Sequence, residues 1–411
     1  MMAEENSWWR PPRLRTDEEE GRERKTSWLE LFYDLVFVVV VAELAHFLAT
    51  HISLAGALGY VLLFITAWWL WIGGTYYNDR FETEDVSHRL TTLLQIIPAT
   101  ALAAFVHDAL AGTSIPFALS YAAGRILILL LWVRGGIHNR DFRPVTYRYA
   151  VGFTISAGLW IASIFVPIPW RFLLWGSGLT IDLVTPFFTL KQQAKLPALS
   201  SSHLPERFGL FTIIVLGEAV AGVVRGIASV PQVTVRVALT GTFGVALAFA
   251  LWWIYFDFIG RRFAKPNVAW KARYGYLHLP LLISIAGIGA GVQSVVASEA
   301  DGLTAGERWL ISVAVGLSLV AIGLIEHTLP LDKEEPVNQY LSANLKIALG
   351  IIAPLAVGWT ATGTYVLLGI LLAVVMIPVV YGTTSWFQSP ISQKKNEGTS
   401  NHPRIAEADS E

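Results

Sequence analysis

The sequence predicts an all-α, polytopic membrane protein of about 12 transmembrane helices, arranged as two parallel six-helix pseudo-repeats. Three observations carry this. Apolar residues make up 54% of the 411 and charged residues 15%, where a soluble domain is about a quarter charged. Apolar stretches of about 20 residues recur along nearly the whole chain, each long enough to cross a bilayer as a helix. Lys and Arg are segregated between alternate loops.

The spans read, in order, as 27–50, 55–78, 88–111, 115–134, 147–167, 170–190, 205–227, 235–260, 272–297, 307–329, 340–359 and 363–383. Residues 1–26 are charged and contain no apolar run, so they read as a cytoplasmic polar tail and not as a signal peptide. Residues 384–411 read as a disordered cytoplasmic tail. Of the 30 Lys and Arg, four (Arg171, Arg225, Arg236, Arg308) fall in the odd-numbered loops and Arg125 lies within a span, which leaves 25 for the tails and even-numbered loops. By the positive-inside bias both termini are cytoplasmic, in a bacterial inner membrane.

The two halves echo each other. "HLPERFGLFTIIVLGEAVAG" (203–222) follows the opening "WLELFYDLVFVVVVAELAHF", with Glu206 matching Glu30, Phe208 matching Phe32 and Glu218 falling near Glu43. "FALWWIYFDF" (249–258) follows "TAWWLWIGGTYYND" (66–79). This gives a first repeat at 27–190, a cytoplasmic linker at 191–204 and a second repeat at 205–383. Six spans per repeat is even, so the repeats share one orientation.

Five motifs, "WLELFYDLVFV" (28–38), "LTIDLVTPF" (179–187), "ERFGLFTIIVLGEAV" (206–220), "LWWIYFDF" (251–258) and "YLHLPLL" (276–282), occur in order across both halves. On these the chain resembles the bacterial low-temperature-requirement A family. The resemblance implies a polytopic inner-membrane protein named for a growth phenotype in the cold. It brings no substrate or reaction.

Ionisable groups inside such spans locate function, because a charge at the bilayer centre costs roughly 2.5–3.5 kcal/mol on insertion scales. Glu43 lies 13 residues past Glu30, about 20 Å deeper at about 1.5 Å per residue, and His46 follows on the same face. Glu218, Asp182 and Arg125 also fall deep in their spans. These five are the candidate substrate- or proton-binding residues, with Arg125 expected to pair with Glu43, Asp182 or Glu218. A second candidate cluster gathers at the cytoplasmic side: Glu30, Asp34, Asp79, Glu206, Arg207, Asp257 and His278, with Arg80, His88, Arg261 and Arg262 beside them. Loop salt bridges and helix capping explain many of these as well as a function does.

Several classes are excluded. There is no cysteine, and the net charge is −1, so thiol chemistry is absent and nucleic acid is not a partner. Glu43-x-x-His46 has no second copy, so no metal is expected. No phosphate-binding Gly-rich loop or other cofactor fingerprint occurs. Of the 16 Trp, Trp28, Trp170 and Trp386 stand near span ends, while Trp68, Trp69, Trp71, Trp252 and Trp253 cluster. The "GIGAG" run at 287–291 reads as close helix packing. The function indicated is a secondary, proton-linked transporter or channel for a small molecule, ion or lipid. The alternative is an intramembrane enzyme using carboxylate acid/base chemistry on a lipid or isoprenoid. The bilayer is the evident partner, and oligomerisation is left open.

Overall fold

The computed structural model describes residues 8–15, 26–82, 85–260, 262–298, 302–331, 337–360 and 363–388. Arg261 and most of both expected tails lie outside them. Among the described residues there are twelve long helices: α1 Trp28–Thr50, α2 Leu54–Arg80, α3 Val86–Phe105, α4 Ser114–His138, α5 Arg143–Ser163, α6 Trp170–Gln193, α7 His203–Ala228, α8 Val235–Phe258, α9 Val268–Ala297, α10 Ala305–Thr328, α11 Gln339–Gly358 and α12 Thr364–Phe387. Each expected span is occupied by one of them. α6 passes through a 3-10 stretch at Thr185–Thr189. A short antiparallel pair, β1 Arg13–Leu14 and β2 Phe81–Glu82, ties the N-terminal arm to the end of α2.

Eleven of these helices are long and apolar enough to cross a membrane. The exception is α5, whose opening "RPVTYRY" carries two arginines and two tyrosines. Local signals set the ends. Ser27 with Glu30, and Thr304 with Glu307, form capping boxes. Ser53, Asp85, Thr234, Asn267 and Asn338 cap by accepting a backbone N–H. Each cap satisfies donors that the first helical turn leaves open. Pro98, Pro280, Pro354 and Pro378 sit inside helices, as membrane bundles tolerate when neighbours re-satisfy the backbone.

The two ends of the bundle are set by contacts between loops. At the near end, where α1 begins, Leu14 and Pro12 meet Asn139, Arg80 meets Pro197, Thr26 meets Glu206 and Lys265 meets Thr328. At the far end His51 meets His107, Ser114 meets Arg171, and Trp309 meets Trp359. The four far-end arginines are occupied by protein groups. Arg171 donates to the Ser163 and Val166 carbonyls, Arg236 to Val295 and Arg308 to Gly358, which satisfies carbonyls left open at helix C-termini. Arg225 donates to Glu218 and Gln293.

α9 is the most enclosed helix, with 83% of its apolar window buried, against 33% for α6 and α12. Small residues let it reach the centre. A Cβ added to Gly289 would stand 2.6 Å from the Ala219 Cα, and one on Gly222 would stand 3.0 Å from the Gly289 carbonyl oxygen. So α7 and α9 touch backbone to backbone, as small residues permit in membranes. Phe32, Leu35 and Val39 on α1 and Ile351, Ile352 and Leu355 on α11 point outward and are exposed, which gives the bundle an apolar outer surface suited to lipid.

Candidate functional site

The first turns of α1 and α7 lie side by side, and each carries two ionisable residues one turn apart. Glu30 and Asp34 are at i and i+4 on α1; His203 and Arg207 are at i and i+4 on α7, so each pair shares a helix face. The two faces meet as two rungs. Arg207 Nη2 donates to Asp34 Oδ1 at 2.7 Å, and His203 Nε2 lies 3.2 Å from Glu30 Oε1. The rungs are cross-braced, because Arg207 Nη1 is 3.5 Å from Glu30 Oε1.

α2 closes the third side. Trp71 Nε1 donates to Asp34 Oδ1 at 2.7 Å, Arg207 Nη2 also donates to Thr75 Oγ1 at 3.2 Å, and Asp79 Oδ1 lies 3.0 Å from His203 Nδ1. Glu30, Asp34, Asp79, His203 and Arg207 are all buried. The segment leading into α7 is strapped to the same place. Arg80 donates to the Pro197 carbonyl, Lys271 to the Leu199 carbonyl and the Ser200 N–H to Asp79.

Both ring nitrogens of His203 face carboxylate oxygens, and only a doubly protonated ring donates to both at once. Arg207 Nε and Nη1 and Asp34 Oδ2 are buried without a hydrogen-bond partner.

A second buried pair lies deeper. Arg125 on α4 donates from Nη2 to Asp182 Oδ1 on α6 at 2.7 Å, while Tyr121 and Ser156 donate to Oδ2 at 2.6 and 2.8 Å. Asp182 is thus the partner that Arg125 required, and both of its carboxylate oxygens accept hydrogen bonds, as a buried charge demands. The guanidinium also lies over Phe153, 4.3 Å from the ring centre.

Glu218 is buried on α7, takes its hydrogen bond from Arg225 of the same helix, and stands near enough to Glu43 for the two carboxylates to interact electrostatically. His46, one turn past Glu43, stacks on His107 with ring centres 5.3 Å apart, and its Nδ1 is buried without a partner. No group of three metal-ligating side chains occurs among the described residues.

The remaining expected residues lie apart. Glu206 accepts from the Thr26 N–H and Asp257 from Trp253 Nε1, while His88 donates its backbone N–H to Asp85 and accepts from Thr92 at its carbonyl. His278 lies between the Tyr274 carbonyl and the Tyr255 hydroxyl and stacks on Phe208. Arg262 donates to Pro330 and Gln339.

Sequence reading missed His203, which fell in the expected linker. Its spacing of four from Arg207, mirroring Glu30 and Asp34, was the available signal. It also missed a buried pair in the second half, Lys346 Nζ to Glu326 Oε2 at 2.9 Å, because each residue stands near a span end.

A family profile described as bacterial low temperature requirement A protein (LtrA) matches residues 25–387. The chain belongs to the LtrA family. A relative within reach of this LtrA chain is a protein of Rhizobium meliloti described as uncharacterized. It is 29% identical over 304 residues, which cover 68% of this chain and 70% of the relative. The match to the LtrA profile begins ahead of α1 and ends with α12, so both buried ion-pair networks lie inside it.

Proposed function

We propose that this LtrA-family chain is a proton-linked secondary transporter, with both termini cytoplasmic in a bacterial inner membrane. The observation that carries the reading is the His203 imidazole held between the Glu30 and Asp79 carboxylates, at 3.2 and 3.0 Å. A buried ring whose two nitrogens face two acids gains or loses a proton at a site shared by helices from both halves of the sequence. Protonation changes the attraction between α7 and the α1–α2 pair. That is the coupling a rocking bundle needs, since ion binding must favour one arrangement over another.

Two further features support it. α1 and α7 run parallel, beginning at the same end, as the proposed repeats 27–190 and 205–383 require. Glu43 and Glu218, deeper on those same helices, offer a second place for the proton to go.

The test is proton flux. Purified protein in liposomes with an internal pH-sensitive dye is given an imposed pH gradient, with candidate solutes outside. Solute-dependent proton movement is expected, and Glu30→Gln, which keeps the hydrogen-bonding shape, should abolish it. Flux that is the same in wild type and Glu30→Gln rejects the network as the coupling site. Absence of solute-dependent flux across a broad solute panel rejects transport.

A further inference from the structure

We infer that the cavity at the near end of α8, α10, α11 and α12 binds an organic ammonium ion. The site is built on other helices than the His203 network and does not rest on the transport reading. It uses Trp253 and Asp257 of the "LWWIYFDF" motif (251–258), which that network leaves out.

The cavity has a volume of about 510 Å³, and its walls include Trp253, Asp257, Phe258, Arg262, Glu326 and Trp386. Glu326 is only 1% exposed. Its Oε2 accepts from Lys346 Nζ at 2.9 Å, and Lys346 is itself buried and outside the wall. Among the described residues no donor meets Glu326 Oε1, and that oxygen is not sealed in by protein, so it opens on the cavity. Asp257 stands at the rim. Its Oδ2 accepts from Trp253 Nε1 at 2.6 Å, one turn back on α8, and among the described residues its Oδ1 meets no donor. Both open groups are carboxylate oxygens. Donors of the same wall are turned to protein. Arg262 gives Nη2 to the Pro330 carbonyl and Gln339 Oε1, Gln339 Nε2 bonds the Glu326 and Leu329 carbonyls, and Thr383 bonds the Val379 carbonyl. Neither carboxylate is paired with Arg262.

A carboxylate oxygen left without a donor in a buried residue is costly, more so than a neutral group. One such oxygen inside the cavity and a second at its rim describe an occupant that brings N–H donors and a positive charge. Trp253 and Trp386 add indole surface, whose quadrupole attracts an ammonium. The volume falls in the range of small-molecule sites, about 300–1,000 Å³. That is roomy for a bare metal ion, and no set of three metal-ligating side chains occurs among the described residues. The last turn of α8, with Trp386 close to the end of α12, places the site at headgroup depth, where Trp gathers. The ammonium can therefore belong to a lipid headgroup or to a free amine.

The experiment is saturation-transfer difference NMR on the full chain in phosphatidylglycerol nanodiscs, which carry no ammonium headgroup. Ethanolamine is titrated, with ethylene glycol as the neutral isostere, glycolate as the anion and empty discs as background. Ethanolamine should give a saturable signal above background, and the two controls should not. Asp257→Asn keeps an acceptor for Trp253 and removes the charge. It should weaken ethanolamine about tenfold while melting as wild type does. Trp386→Leu, which removes indole surface, serves the same purpose if Asp257→Asn does not fold. Discs that also contain phosphatidylethanolamine separate the two sources. Weaker ethanolamine binding there assigns the site to a lipid headgroup, and unchanged affinity assigns it to a free amine. No saturable signal above empty discs, an equal signal from ethylene glycol, or unchanged affinity in both folded variants would overturn the site.

Discussion

Arg207 donates to Asp34 across 2.7 Å although the two residues stand 173 positions apart in the chain. The contact fastens the start of α7 to the start of α1 inside a buried network. Removing one member of a buried pair strands the other charge and costs about 3–5 kcal/mol. Arg207→Met should therefore destabilise strongly in detergent unfolding, and adding Asp34→Asn should recover part of the loss. Wild-type stability for Arg207→Met would mean the network is solvated and the pair is not structural.

Arg125 and Asp182 make a parallel case in a different place. Arg125→Leu leaves Asp182 with only Tyr121 and Ser156 as donors. A loss of about 3–5 kcal/mol is expected, with partial rescue by Asp182→Asn and none by Glu218→Gln. Rescue by Glu218→Gln instead would contradict the pairing.

The N-terminal arm has its own pH dependence. Burial alone would raise the Asp85 carboxyl, but the Arg10 and His88 amides, the Ser87 hydroxyl and the Arg134 guanidinium outweigh it and hold the group below the ordinary carboxylate value. A carboxyl lowered in the folded state contributes stability that is present above its unfolded pKa of about 4 and lost as pH falls through the lower folded value. Docking of the arm should be constant from pH 5 to 8 and weaken only in stronger acid. Hydrogen exchange at the Arg10 and Ser87 amides reads this out. Release of the arm between pH 5 and 7 would show that another group controls it.

Topology is testable because the sequence has no cysteine. Single cysteines at Gly112 and Gly302 should react with an impermeant reagent added outside intact cells. Cysteines at Asn139 and Lys195 should react only after permeabilisation. The opposite pattern would invert the proposed orientation.

Glu43 and Glu218 are expected to act as a second proton site. Activity or ligand affinity from pH 5 to 8 should shift in Glu218→Gln and in Glu43→Gln. Coincident profiles for both variants and wild type would reduce Glu218 to a structural partner of Arg225.

The sequence by itself determined where the helices are. Each needs about 20 apolar residues to cross a bilayer, and that requirement is local enough to be read from composition alone. It also marked most of the charged residues that matter, because an ionisable group in an apolar helix is expensive wherever it sits. α5 is where this reading thins, since "RPVTYRY" breaks the apolar run and leaves Arg143 and Tyr147 exposed. Tertiary structure decided the partners. Asp182 rather than Glu43 or Glu218 meets Arg125, and His203, outside the expected spans, meets both Glu30 and Asp79. The reason is physical: insertion depends on a segment's own hydrophobicity, whereas a buried charge chooses among all the groups that folding brings within about 3 Å.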